Sequence, residues 1–246
     1  MKAVFAAGGT AGHINPALAI ADKMKSLFPD TEILFIGTPL GMEARLVTKA
    51  GYDFVPVEMA GFQRKLSARN IGRNIRAMYC YCISAKRAVR RILKDFAPDV
   101  VIGTGGYVTG TVLSQAAAMG IKTVTHESNS YPGMATKMLA KKADRVLLAS
   151  EDAKKHLKYT ERCVVTGNPL RSNIQIEERD AARKRLGLPE GFTVLSFGGS
   201  LGANRITEAV AELLAWEEKK GGINHIHSFG GNGRDMFYDA LKESGV

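Results

Sequence analysis

The chain has 246 residues, 45% of them hydrophobic and 24% charged, with a formal net charge of +10 at pH 7. This composition excludes a disordered or fibrous chain and suits one large globular domain or two smaller ones. The start carries no secretory h-region, no run of about 18 uncharged apolar residues follows, and Cys80, Cys82 and Cys163 lack metal-ligand spacing, so a cytoplasmic protein with reduced thiols is expected.

In chain order, "KAVFAA", "EILFIG", "DFVPV", "DVVIG", "KTVTH", "RVLLAS" and "CVVTG" read as strands, with helix-like runs between most of them. Alternating β and α units predict an α/β fold with a parallel sheet. After "GNPLR" (Gly167 to Arg171), a polar stretch reads as a linker and a short helix. "TVLSFGG" then starts a new strand, followed by "INHIHSFGG" and a helix-like "RDMFYDALKESGV". His225 and His227 fall on one face of that later strand and are read as structural.

Two stretches share a plan. "AVFAAGGTAGHINPALAIA" and "TVLSFGGSLGANRITEAVA" each run strand, Gly-Gly-[Ser/Thr]-x-Gly, amphipathic helix. The repeat predicts two Rossmann-like domains facing one cleft. The expected boundaries are residues 1–166 for the first domain, 167–190 for a linker and connecting helix, and 191–246 for a partial second domain.

A glycine turn at a strand tip lets a ligand approach the backbone, and the following helix offers free N–H groups and a positive dipole end to an anion. The spacing is neither Walker A nor Gly-x-Gly-x-x-Gly, and "FIGTPLG" places no acid to grip a ribose, which disfavours P-loop chemistry and a nicotinamide cofactor. A further glycine cluster, "GTGGYVTG" (Gly103 to Gly110), also closes a strand and opens a helix. Such loops around one crevice suit a diphosphate and a sugar. His13 stands directly after Gly12, where a neutral imidazole can act as general base on a sugar hydroxyl; the alternative is a capping or packing histidine. "THESN" (Thr125 to Asn129) offers His126, Glu127 and Asn129 at another strand end. For Glu127, catalysis and a structural hydrogen bond to a loop backbone weigh equally. With no Asp-x-Asp pair and no clustered ligands, no catalytic metal is expected, and no cofactor is assigned.

"GGTAGHINPALAIA", "GTGGYVTG", "HESNSYPG", "GNPLR" and "GGSLGANR" occur in that order, and together they resemble the MurG family of bacterial glycosyltransferases over nearly the whole chain. The resemblance implies the GT-B architecture and metal-independent, inverting transfer of N-acetylglucosamine from UDP-GlcNAc to the C4 hydroxyl of the muramoyl sugar of lipid I. It implies that Thr10, Ala11 and Gly12 contribute to the sugar-nucleotide site, and that Asn129, Arg171 and Ser200 contact the donor. His13, Tyr107, His126 and Glu127 match positions of acceptor binding or catalysis, and which of His13, His126 and Glu127 is the base stays open. The first two glycine loops, with Gly105 and Gly106, are expected to cradle the acceptor diphosphate, and the last, with Ser200 and Gly202, to serve the donor. Ala11, Thr109-Gly110 and Leu201 depart mildly from the family pattern. The family also continues past this chain with the segment that grips uracil, ribose and donor sugar, so the second domain is expected to be partial.

From Arg64 to Lys94 there are ten Lys/Arg and no Asp/Glu. Leu66, Arg69, Ile71, Arg73, Ile75, Arg76 and Tyr79 suit a helix lying on anionic lipid, and the helix after Ala85 is expected to pack on the sheet instead. A peripheral location on the cytoplasmic face of the bacterial membrane follows. RNA binding is set aside for want of stacking platforms. Two rivals to the transferase remain: a non-catalytic docking module for lipid diphosphates, and a GT-B transferase with another lipid acceptor.

Overall fold

The computed structural model describes residues 1–59, 83–171, 174, 176–199, 202–231 and 233–244. The seven residues assigned to the membrane, together with Cys80, Cys82, Ser200 and Leu201, lie outside the described residues. The chain divides into two compact units, Met1–Ile174 and Gln175–Val246.

The first unit is built on a seven-stranded parallel sheet of β1 (Lys2–Ala6), β2 (Glu32–Gly37), β3 (Asp53–Pro56), β4 (Val100–Gly103), β5 (Lys122–Glu127), β6 (Arg145–Leu148) and β7 (Cys163–Val165). The spatial order is β3-β2-β1-β4-β5-β6-β7. Val4 on β1 stands in register with Leu34 on β2 and with Val101 on β4. This is the α/β, Rossmann-like architecture read from the alternating runs. The chain leaves β1 in one direction towards β2 and returns on its other side at β4, so a topological switch point lies between the tips of β1 and β4.

Helices α1 (Ala11–Leu27), α2 (Met42–Lys49), α3 (Ala85–Phe96), α4 (Gly106–Ala118) and α5 (Met134–Leu139) connect these strands, together with a 3-10 helix at Glu151–His156. Alternation along β1 and β2 divides the core between the two faces of the sheet. Ala3, Phe5, Ile33 and Phe35 pack with Ile14, Leu18 and Val47 of α1 and α2. Val4, Ala6, Leu34 and Ile36 pack with Val89, Leu93, Val108 and Val112 of α3 and α4. Phe5 and Phe35 stack with centroids 5.0 Å apart. Helix α3 turns Ala85, Val89 and Leu93 inward and leaves Arg87, Arg90, Arg91 and Lys94 exposed, which is the packing expected for the helix after Ala85. It ends at Ala97, whose N–H caps the Leu93 carbonyl, and Pro98 prevents continuation.

The second unit holds α6 (Arg179–Arg185), β8 (Phe192–Phe197), α7 (Asn204–Lys220), β9 (Ile223–Ser228) and α8 (Arg234–Glu243). Strands β8 and β9 pair in parallel, with Ser196 opposite His227. On one face of this pair a hydrogen-bonded chain runs from Glu217 Oε2 to His225 Nδ1 (2.6 Å), from His225 Nε2 to Ser196 Oγ (2.7 Å), and on to His227 Nδ1 (2.8 Å). On the other face Leu195 and Phe197 are exposed.

Candidate functional site

The site is built where the loops after β1 and β4 meet. A Cβ on Gly106 would overlap the Gly8 carbonyl oxygen, and φ there is +81°. A Cβ on Gly105 would fall against the His13 ring. These two glycines therefore let the β4 loop close onto the β1 loop. Hydroxyls fasten the same seam. Thr104 Oγ1 donates to the His13 carbonyl (2.6 Å), and Thr109, buried, reaches the Ala6 carbonyl (2.7 Å) while accepting the Gly105 N–H (3.1 Å).

His13 lies in the first turn of α1. Its Nδ1 is 3.0 Å from the Gly8 carbonyl oxygen and 3.5 Å from Thr10 Oγ1. A carbonyl only accepts, so Nδ1 carries the proton in the neutral ring and the lone pair is on Nε2. No hydrogen bond engages Nε2 among the described residues. Around it, Thr10 and Gly12 are exposed, and Tyr107 projects from the start of α4 with about a third of its surface open.

The helix ends are open too. Neither α1 nor α4 has a side-chain cap or an acidic residue in its first turn. The first turns of α2, α6 and α8 carry Glu43, Asp180 and Asp235, and the 3-10 helix is capped by Ser150, while α3 and α5 are as open as α1 and α4 but start away from the glycine loops. Uncapped N–H groups with no local carboxylate are the electrostatic condition for holding an anion. Helices α1 and α4 offer them at the β1/β4 switch point. In the second unit α7 has the same open start, and a Cβ on Gly202, at φ +86°, would overlap the Phe229 carbonyl oxygen.

At the end of β5, His126 and Glu127 are committed inward. Glu127 accepts from the Asn129 N–H (3.0 Å) and Nδ2 (2.8 Å), the Gly133 N–H (2.8 Å) and the Thr136 hydroxyl (2.6 Å). Burial alone would raise its carboxyl, but these bonds outweigh it and hold the group below the usual carboxylate range. His126 is buried, with Nε2 donating to the Gly167 carbonyl at 3.1 Å, and burial keeps its imidazole below the ordinary histidine range. Asn129 remains exposed.

Arg171 is placed apart from the glycine loops. Its Nε pairs with Asp22 of α1 at 3.4 Å, and Asp22 also accepts from the Tyr52 hydroxyl at 2.7 Å. Asp22 lies eleven residues beyond Ala11, which is about 16 Å along a helix axis. Burial, reinforced by Asp22, raises the Tyr52 phenol.

Sequence reasoning missed Glu43. It is 1% exposed, and its carboxylate accepts from the Thr38 N–H (3.0 Å), the Thr38 hydroxyl (2.7 Å) and the Gly9 N–H (3.3 Å). Cβ atoms on Gly8, Gly37 and Gly41 would crowd it. The signal was the pair Gly37 and Gly41 just ahead of a helix-start glutamate. Among the described residues no group of three or more His, Cys, Asp or Glu could hold a metal ion, and no helix is long and apolar enough to cross a membrane.

Comparison with known proteins places these features. Residues 3–148 match the glycosyltransferase family 28 N-terminal domain. The UDP-N-acetylglucosamine--N-acetylmuramyl-(pentapeptide) pyrophosphoryl-undecaprenol N-acetylglucosamine transferase of Acetivibrio thermocellus is 45% identical over 94% of this chain and 61% of its own length. The enzyme of the same name from Desulforudis audaxviator is 38% identical over 100% of this chain and 65% of its own length. The chain thus spans less than two thirds of these curated relatives. The crystal structure of Acinetobacter baumannii MurG superposes with a TM-score of 0.67 at 25% identity, covering 100% of this chain and 63% of that one. Anabaena HepE in complex with UDP, at a TM-score of 0.66 and 12% identity over 100% of this chain and 66% of its own, shares the fold. With the family domain matched over more than half of its residues, on a sheet whose switch point carries the paired glycine loops, the chain belongs to glycosyltransferase family 28.

Proposed function

We propose that the chain is the acceptor-binding part, with the first portion of the donor domain, of an inverting N-acetylglucosaminyltransferase that converts lipid I to lipid II in peptidoglycan synthesis. The observation that carries this reading is the free Nε2 of His13 standing between the open N-termini of α1 and α4. In this scheme the amides of the two helix starts hold the acceptor diphosphate. His13 Nε2 removes the proton from the C4 hydroxyl as that oxygen attacks the anomeric carbon of UDP-GlcNAc. The bond from that carbon to the diphosphate breaks on the opposite face, and UDP leaves with the electron pair, inverting the configuration. Tyr107 lies beside the acceptor, while Ser200, Gly202, Asn129 and Arg171 belong to the donor side. Glu127 organises the loop that presents Asn129, and His126 anchors that loop to Gly167, so His13 is the preferred base. A positioned base contributes about 10²–10⁴ in rate.

The stretch from Leu66 to Tyr79 is proposed to rest on the anionic cytoplasmic membrane face, each basic residue contributing about 1 kcal/mol near such a surface. The solvent-facing cations of α3, which packs on the sheet, add to the attraction. The exposure of Arg87, Arg90, Arg91 and Lys94 on α3 supports this.

Two measurements test the reading. In 15N spectra, a short-chain lipid I analogue should shift the amides of Ala11, Gly12, Gly106 and Tyr107; no shift in these four removes the acceptor assignment. Calorimetric titration with UDP-GlcNAc separates the transferase from a docking module, because a folded chain that gives no heat favours the latter.

A further inference from the structure

Gly8 and Gly9 share one peptide group, and a side chain holds each end of it. Glu43 Oε2 accepts its N–H at 3.3 Å, and His13 Nδ1 donates to its C=O at 3.0 Å. The other carboxylate oxygen is fastened by both donors of Thr38. Glu43 is buried in space left by three glycines, Gly8 in the loop after β1, Gly37 at the end of β2 and Gly41 just before α2. On the far side Gly106 closes against the same Gly8 carbonyl. The peptide is thus fixed in its plane from both ends.

We propose that Glu43 is a positioning residue for His13: acting through the Gly8–Gly9 peptide, its carboxylate holds the imidazole as the Nδ1–H tautomer and so leaves the Nε2 lone pair free. The inference rests on the reading of His13 as the base. An ionised acceptor on the N–H side draws electron density towards the carbonyl oxygen. Hydrogen bonds in series strengthen one another in a low-dielectric setting. A carboxylate that touches its histidine directly sets the tautomer in the same way; here one peptide group stands between them. No proton passes from His13 to Glu43, because the relay acts only by polarisation and orientation.

The test is the tautomer itself, read from the ring 15N shifts of the histidine-labelled chain at a pH where His13 is neutral. The unmodified chain should show His13 mainly protonated on Nδ1. In Glu43→Gln the amide cannot accept from Gly9 and from Thr38 at once, and the Nε2–H form should rise roughly threefold, the order expected when one cooperative bond is lost. Thr38→Val, which removes the hydroxyl bond to Oε1 but keeps the backbone N–H bond to it and the Oε2 bond to Gly9, should not move it. A folded Glu43→Gln with an unchanged tautomer overturns the proposal, as does an equal change in Thr38→Val. Should Glu43→Gln fail to fold, Glu43→Asp, whose shorter carboxylate cannot hold the Gly9 N–H and Thr38 together, takes its place: a rise in the Nε2–H form there supports the relay, and an unchanged tautomer, or a dominant Nε2–H form in the unmodified chain, overturns it. The readout needs no substrate. An unchanged tautomer in a folded variant removes the relay alone, a dominant Nε2–H form in the unmodified chain also removes His13 as the base, and absence of ligand binding removes the transferase reading.

Discussion

At the residue scale, the two carboxylates under the loops do different work with the same chemistry. Glu127 gathers four donors from one short segment, Asn129 to Thr136, and Glu43 ties two loops together. Hydrogen bonds to a charged acceptor contribute about 1.5–3 kcal/mol each. Glu127→Gln keeps one oxygen and turns the other into a donor facing donors, so it should cost about 3 kcal/mol in urea unfolding; a loss under about 1 kcal/mol would show that the segment relaxes around the amide. The pH dependence has two signs. The depressed Glu127 carboxyl contributes stability above its unfolded value of about 4.3, which is lost as pH falls through its lower folded value. Burial depresses His126, so the unfolded chain binds a proton that the fold resists, and stability falls once pH drops below the unfolded value of about 6.5. Thermal melts should therefore decline from pH about 7.5 to about 5.5, and less so in His126→Gln. Parallel slopes in the two chains would exclude His126 as the source.

At the element scale, α3 separates burial from charge on a single helix. Leu93→Ala should cost about 2–5 kcal/mol, since Leu93 is enclosed by the core on that face of the sheet. Arg90→Ala, on the exposed side, should stay within about 0.5 kcal/mol. In liposome sedimentation the order should invert, with Arg90→Ala weakening binding to anionic vesicles at low salt and Leu93→Ala, where folded, leaving it unchanged. Binding indifferent to salt and to Arg90 would remove α3 from the membrane surface. The approach of α4 to β1 is tighter still. Gly106→Ala adds strain at positive φ and meets the Gly8 carbonyl, with a cost of about 1–3 kcal/mol from the backbone alone.

At the scale of the whole molecule, the two units differ in how well each encloses a core. The first wraps both faces of seven strands. The second has two paired strands with helices α7 and α8 packed on each other, and its sheet exposes Leu195 and Phe197. Small units bury a lower fraction of their surface and are correspondingly marginal. Calorimetry should resolve two transitions, the second unit melting first. A single transition coincident by near-ultraviolet signals from Trp216 in that unit and from the tyrosines of the first would show the two to be coupled.

All seven strands of the first unit were legible as short apolar runs, because strands buried on both faces of a parallel sheet have no polar side to show. The glycine loops and His13 were legible for a local reason: each lies within a few residues of a strand tip. The order of those strands was not legible, since each run carries its own burial pattern and no label for its neighbour. That order puts Gly106 against Gly8 and makes one site of two loops nearly a hundred residues apart in the chain. Glu43 reads from sequence as an ordinary helix-start acid, and its burial comes from glycines in two separate loops. Arg171 reads as a donor-contacting loop residue, yet it pairs with Asp22 on α1, which also accepts from the Tyr52 hydroxyl. Sequence alone determined what each segment is and where an anion could be met. Tertiary packing decided which segments meet, because contacts between residues far apart in the chain depend on how the whole sheet is assembled.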